Sequence, residues 1–377
     1  MNPRLYQGDH PMPLNRRQTL LTLSAGLAAP FVRPSWAQAR TLNITNWEGY
    51  IGETTIPDFE AEFGIGVVYD PYSSSEEFDA KMTAGGTGYD VVISSGASLP
   101  RMTPLGLYHN LDRSRFKNYG NLDPAILKVL EGFDPGNQYG VPYMWGSVGF
   151  AYNLDLVKEV LPDVDLNTME AVFLPENAAK LAECGISLLD SPADIGFMVL
   201  KWKGIDPALA GQAELDQMIA AFDAIRPSIL TFDNTNYTSR MANGEICVAN
   251  SYSGDYSFMI DIAAEAGIEL NLGYFVPKTG APAWLDCWCI PEDAANKDDA
   301  YTFIDYMMRP EVAAACTNYT RYANANKAAT PLVDPVISNN PAVYPDAETL
   351  SRMFTPAPYT DAQESLVPRA WTRAKSG

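Results

Sequence analysis

Between Thr41 and Ser94 the sequence alternates strand-like and helix-like segments, and this rhythm limits the fold more than any other feature. Thr41-Leu42-Asn43-Ile44-Thr45 reads as a strand. Ile56 to Phe63 has helical spacing and stops at Gly64. Val67-Val68-Tyr69 is a second strand, Glu76 to Ala84 a helix ending at Gly85-Gly86, and Tyr89 to Ser94 a third, apolar strand. A βαβαβ order predicts a parallel sheet with crossover helices. Such sheets bind ligands in loops beyond the carboxyl ends of their strands. Those loops are Asn46-Trp47-Glu48-Gly49-Tyr50, Tyr72-Ser73-Ser74-Ser75-Glu76 and Ser94-Ser95-Gly96-Ala97-Ser98.

The remainder of the chain reads as a second α/β block. Val141 to Trp145 and Val148 to Asn153 are apolar stretches that look like a strand pair leaving the first sheet. Helical patterns cover Ala178 to Cys184, Gln212 to Ala224 and Tyr256 to Ala266, with a strand at Ile246 to Ser251. Leu270 to Val276 and Trp284 to Ile290 are strands separated by the turn cluster Pro277-Lys278-Thr279-Gly280. Helices follow at Ala300 to Met308 and Glu311 to Thr317, and the last fifty residues read as loops with short helices. A chain of 377 residues has room for two domains.

The amino-terminal segment reads as an export signal spanning 1–39. Arg16-Arg17 precedes Gln18-Thr19-Leu20-Leu21, the apolar run Leu20 to Val32 follows, and Ala37-Gln38-Ala39 offers a small-x-small cleavage site. The paired arginines fit the twin-arginine route. The apolar run is shorter than the roughly 20 residues a membrane-spanning helix needs. No cysteine follows the cleavage site, so a lipid anchor is not expected. The expectation is a soluble, exported chain beginning at Arg40.

Charge excludes several function classes. Lys and Arg total 26 against 46 Asp and Glu, a net charge of −20, which repels nucleic-acid backbones and attracts cations. Two histidines leave little for metal ligation or acid–base chemistry, and beyond the leader only His109 remains. Five cysteines, Cys184, Cys247, Cys287, Cys289 and Cys316, leave at least one free thiol in an oxidising compartment. Cys287 and Cys289 alternate on an apolar strand and read as buried small apolar residues, because same-strand neighbours rarely have bridging geometry. No zinc spacing occurs.

Several further stretches carry a family resemblance. They are Trp47-x-x-Tyr50-Ile51, Tyr89-Asp90-Val91-Val92 with Ser95, and Gly140-Val141-Pro142-Tyr143-Met144-Trp145 with Tyr152-Asn153. Ala242-Asn243-Gly244-Glu245-Ile246-Cys247, Gly254-Asp255, Tyr322-Ala323-Asn324-Ala325-Asn326-Lys327-Ala328-Ala329-Thr330-Pro331 and Arg369-Ala370-Trp371-Thr372 complete the set. At this spacing, over nearly the whole exported chain, the sequence resembles the bacterial periplasmic polyamine-binding proteins of ABC transporters.

The resemblance implies an α/β, two-lobe periplasmic binding protein fold of type II, with discontinuous lobes joined by crossover strands. Lobe 1 would be 40–147 plus about 272–316, and lobe 2 148–271 plus about 317–377. It implies a Cys184–Cys247 disulfide, no cofactor, a monomeric state, and delivery to inner-membrane permease subunits driven by a separate ATPase. The ligand residues it implies are Trp47, Tyr50, Ser95, Asp194, Tyr252, Asp255, Trp284, Asp286 and Tyr322, with Glu48 as a substitute acid.

These residue types suit a polyamine. Burying an ammonium costs several kcal/mol unless a carboxylate partners it, and an aromatic face adds about 0.5–2 kcal/mol. Asp286 stands out because it lies mid-run between Leu285 and Cys287, where an unpaired carboxylate is costly. Taken singly, each aromatic is equally a core residue, and Asp255 before Tyr256 is equally a helix N-cap. Two departures matter. The putrescine-type pattern has Ser-Asp where this chain has Glu48-Gly49, and Phe where it has Trp284, a residue the spermidine type favours. The choice among putrescine, spermidine and another amine therefore stays open.

Two other readings compete. A ferric-ion site on the same fold could use Tyr319 and Tyr322, which share a face if helical. A hydrolase could pair two of Asp194, Asp255 and Asp286, but the sequence has no G-x-S-x-G elbow, G-x-G-x-x-G loop or P-loop.

Overall fold

The computed structural model describes residues 40–72 and 74–376, without the side chains of Ser75 and Glu76. The expected leader over 1–39, Ser73 and the Glu76 side chain lie outside the described residues. The first strands and helices fall where the alternation places them: β1 (Thr41–Trp47), α1 (Thr55–Phe63), β2 (Gly66–Tyr72), α2 (Ser75–Ala84) and β3 (Val91–Ser95). Gly64 ends α1 with φ 63°, the left-handed conformation that glycine adopts without steric cost. Ser74 starts α2 by accepting a hydrogen bond from the Glu77 N–H. β1 runs parallel to both β2 and β3.

The two apolar stretches expected as a strand pair are one strand, β4 (Gly140–Asn153). A bulge between Pro142 and Trp145 bends it without ending it. Gly146 suggests a break in the sequence, but it is there for packing. A Cβ at that position would lie 2.5 Å from the Trp284 ring.

The following elements are β5 (Ile186–Leu188), α3 (Gln212–Ile225), β6 (Thr231–Phe232), α4 (Tyr237–Ala242), β7 (Val248–Tyr252), α5 (Ser253–Glu265) and β8 (Leu272–Phe275). Then come β9 (Ala283–Cys289), α6 (Lys297–Met307), α7 (Pro310–Thr320), β10 (Ala323–Asn324) and α8 (Gln363–Ser376). The last of these is a fourteen-residue helix where the sequence suggested only short ones. Its Trp371 packs edge-on to Phe222 of α3, with ring centroids 5.3 Å apart.

The strand order is β2-β1-β3-β9-β4-β7-β5-β6, with β8 and β10 also on β4. β4 carries the sheet from one half to the other. Up to Ser147 it pairs with β9, and from Val148 onward with β7 and β8. Two cores flank this handover. One gathers Leu42, Ile44, Phe59, Val141, Trp288, Phe303 and Cys316. The other gathers Phe150, Leu188, Met218, Phe222, Val248, Met259 and Trp371.

The boundaries expected near 272 and 317 differ from this packing. Leu272, Tyr274, Phe275, Val276 and Ala281 pack with the second core. β10 pairs with Met144 and Trp145 on the first half, and Ala323, Val333 and Val343 cluster beside Trp145. The reason is strand pairing: β8 lies on the far half of β4, so the chain crosses back only after it.

The Cys184–Cys247 disulfide is present, linking residues 63 apart in sequence. Cys287, Cys289 and Cys316 are buried free thiols; the first two lie in the apolar run of β9, and Cys316 Sγ accepts from the Gly52 N–H at 3.4 Å.

Candidate functional site

Asp286 lies at the centre of the candidate site. It lies on β9 opposite Ser95 of β3, the last paired position of that ladder. It is only 7% exposed. Burial pushes its carboxyl up to about 7, partly offset by the neighbouring Tyr50. The Tyr50 hydroxyl couples electrostatically to Asp286 but completes no hydrogen bond of normal geometry with any described group. The pair is thus a carboxylate and an adjacent phenol oxygen, both able to accept from an ammonium.

The loop after β1 sets this geometry. Buried Asn46 accepts from the Trp47 N–H at 2.8 Å and donates to the Tyr50 carbonyl at 3.1 Å. Tyr143 donates to the same carbonyl at 2.9 Å. Gly49 has φ 67°, so the loop turns through a conformation that side chains resist. Asn46 and Tyr143 lie in stretches the sequence marks, but neither is among the expected site residues. A buried asparagine ending a strand was the available signal for the first. Glu48 is exposed, and its side chain makes no hydrogen bond or ion pair among the described residues.

Aromatic rings line the space beside Asp286. Tyr50 meets Tyr322 edge-on at 5.8 Å, and Tyr322 meets Trp284 edge-on at 5.0 Å. Trp47 packs on Tyr72 at 4.4 Å. Trp284 contacts both cores, so it sits at the junction of the two halves.

The opposite wall is the start of α5. Asp255 is not the N-cap: Tyr252 holds that position and Asp255 lies in the first turn. Its Oδ1 accepts from the Tyr322 hydroxyl at 2.6 Å, and its Oδ2 accepts from Tyr237. Gly254 allows this approach, because a Cβ there would fall inside the van der Waals surface of the Tyr322 ring. Tyr237 was not singled out either: it is buried in α4, and no local pattern marks it. Asp194 accepts from the Tyr252 hydroxyl at 3.0 Å.

Desolvation raises the carboxyls of both Asp255 and Asp194, although each keeps partial contact with solvent. The Tyr252 hydroxyl is raised by its own burial and then by Asp194, Asp255 and Asp286. The three acids therefore share one neighbourhood. None of them has an ion-pair partner among the described residues.

Chemically, this is a desolvated anionic cluster flanked by aromatic rings. It suits a cation with an apolar stem. The ferric reading loses its geometric basis. α7 ends at Thr320, Arg321 turns left-handed, and Tyr319 is 47% exposed while Tyr322 turns inward to Asp255. Among the described residues no His, Cys, Asp and Glu group could hold a metal ion.

Residues 54–345 match the family described as bacterial extracellular solute-binding protein. The chain is 39% identical over 368 residues to the putrescine-binding periplasmic protein PotF of Escherichia coli strain K12, covering 97% of this chain and 99% of that one. It is likewise 39% identical over 362 residues to the putrescine-binding periplasmic protein SpuD of Pseudomonas aeruginosa strain UCBPP-PA14, covering 96% and 98%. Among solved structures it is similar to the spermidine/putrescine ABC transporter substrate-binding protein PotD of Streptococcus pneumoniae. That match has a TM-score of 0.78 and 26% identity, over 89% of this chain and 98% of that one. The fold is the type II periplasmic binding protein fold that the resemblance implies. On the span of the family match and the full-length likeness to these relatives, the chain belongs to the bacterial extracellular solute-binding proteins.

Proposed function

We propose that this protein is a periplasmic receptor that captures a polyamine between two lobes and delivers it to an ABC permease. The observation that carries the reading is Asp286, a buried carboxylate with no basic partner among the described residues, set among Tyr50, Trp284 and Tyr322. A buried carboxylate left unpaired is costly, and an ammonium from a ligand removes that cost. Asp255 and Asp194 would hold a second ammonium, and Trp47, Tyr252 and Ser95 would complete the cage. The relatives named for putrescine or spermidine binding support the ligand class.

The lobes in this reading follow the two cores. Residues 40–147 with about 283–343 form the first, and 148–281 with about 350–376 the second. Hinge closure between them would enclose the ligand. The receptor acts as a monomer without catalysis or nucleic acid, and a twin-arginine leader over 1–39 exports it. Glu48-Gly49 stands where the putrescine-type pattern has Ser-Asp, so the loop acid sits one residue earlier, with Glu48 as the substitute beside Asp286. That favours no single amine, and another cationic amine remains within the reading.

Calorimetric titration with putrescine, cadaverine, spermidine, spermine and agmatine tests it. Micromolar or tighter binding of at least one amine, about 8 kcal/mol or more, is expected. Failure of all five to bind would overturn the proposal.

A further inference from the structure

Arg321 is one of two non-glycine residues with positive φ among the described residues, at 64°. It caps α7, with its N–H bonded to the Thr317 carbonyl at 2.8 Å. Glycine or asparagine is usual at such a position, because a Cβ in the left-handed region is strained. An arginine there keeps its strain for no local benefit. Its side chain, however, reaches out of its own half of the molecule. The guanidinium lies 3.1 Å from Asp261 Oδ2.

The two residues belong to different bodies. α7 seats Val312 and Cys316 in the first core, and α5, which carries Asp261, seats Met259 in the second. The neighbouring Tyr322–Asp255 hydrogen bond also reaches α5, from just beyond the end of α7, but it uses residues of the proposed ligand cage. Arg321 and Asp261 lie outside that cage and are part-exposed, with side chains 27% and 44% accessible.

We propose that Arg321 and Asp261 form a closure latch that strengthens ligand binding without touching the ligand, by favouring the arrangement in which the two halves meet. This rests on the solute-receptor reading above for its effect on affinity. The ion pair exists only while α7 and α5 face each other, so its energy is added to the closed state alone. A part-exposed pair of this kind contributes modestly and is screened by salt. The latch is therefore a tuner of affinity, expected to be worth about two- to fivefold.

Two measurements separate the latch from the ligand assignment. The first needs no ligand. Small-angle scattering of the ligand-free protein should give a larger radius of gyration for Arg321→Gly than for wild type, a difference that shrinks at about 1 M salt. Identical radii would overturn the latch. The second is titration with putrescine. Arg321→Gly and Asp261→Asn should each weaken binding about two- to fivefold, and the double variant should lose no more than either alone. The melting temperature of ligand-free Arg321→Gly should equal or exceed that of wild type, because glycine relieves the left-handed strain. Unchanged affinity, or losses that multiply in the double variant, would overturn the latch. Absence of amine binding by wild type, with the scattering difference intact, would count against the polyamine ligand while leaving the latch standing.

Discussion

Asp286 and Ser95 face one another at the last paired position of the β3–β9 ladder, so the acid is fixed by backbone pairing. Its burial raises its carboxyl to about 7. An ammonium binds the ionised form, and alkyl amines stay charged well above this range. Affinity for a polyamine should therefore fall about tenfold between pH 8 and pH 6, with proton release on binding near pH 7. Calorimetry in buffers of different ionisation enthalpy reads both quantities.

The same group sets how the ligand-free fold responds to acid. Its folded value near 7 lies above the ordinary carboxylate value near 4. Between those limits the native state binds more protons than the unfolded chain, so this site's contribution to stability rises as pH falls from about 7 to about 4. Asp286→Asn should abolish that contribution and leave the ligand-free protein at least as stable at pH 8. Urea melts of both proteins at pH 8, 6 and 5 test this.

Gly254→Ala should separate binding from folding. Alanine favours the helix by roughly 0.5–1 kcal/mol over glycine, but its methyl meets the Tyr322 ring. The expected outcome is an unchanged or higher melting temperature with polyamine affinity down at least about tenfold. Wild-type affinity would mean that Tyr322 and Asp255 need not meet.

The Cys184–Cys247 bridge lies in the second core, whereas Asp286 lies on β9, which pairs with β3 in the first half. Closing a loop of this length typically stabilises by about 2–4 kcal/mol. Cys184→Ser with Cys247→Ser should lower the melting temperature accordingly and leave polyamine affinity within about twofold. Thermal melts and calorimetry on the same preparation test both halves of that expectation.

Much of this was legible from residues alone, and the rest for identifiable reasons was not. β1 to β3 were readable because glycine stops and apolar runs are local signals. β4 reads as two strands because Gly146 and Ser147 interrupt its apolar run, whereas Gly146 makes room for Trp284. Asp286 was conspicuous as an acid inside an apolar run. Asp255 was ambiguous, since an N-cap and a first-turn acid differ by a few residues of helix start. Tyr237 carries no local signal, because it acts through a partner in another helix, and Tyr143 lies in a family motif without its hydrogen bond to the Tyr50 carbonyl being legible. The Cys184–Cys247 pairing came from family resemblance, as spacing alone left the five cysteines unassigned.

The most direct test of the account is titration of putrescine and spermidine at pH 8 into wild type and Asp286→Asn, each first checked for a cooperative thermal melt. Breaking a buried ion pair by removing one partner costs about 3–5 kcal/mol, so the variant should bind at least about 100-fold more weakly than wild type. A folded Asp286→Asn protein that binds within about fivefold of wild type would contradict it.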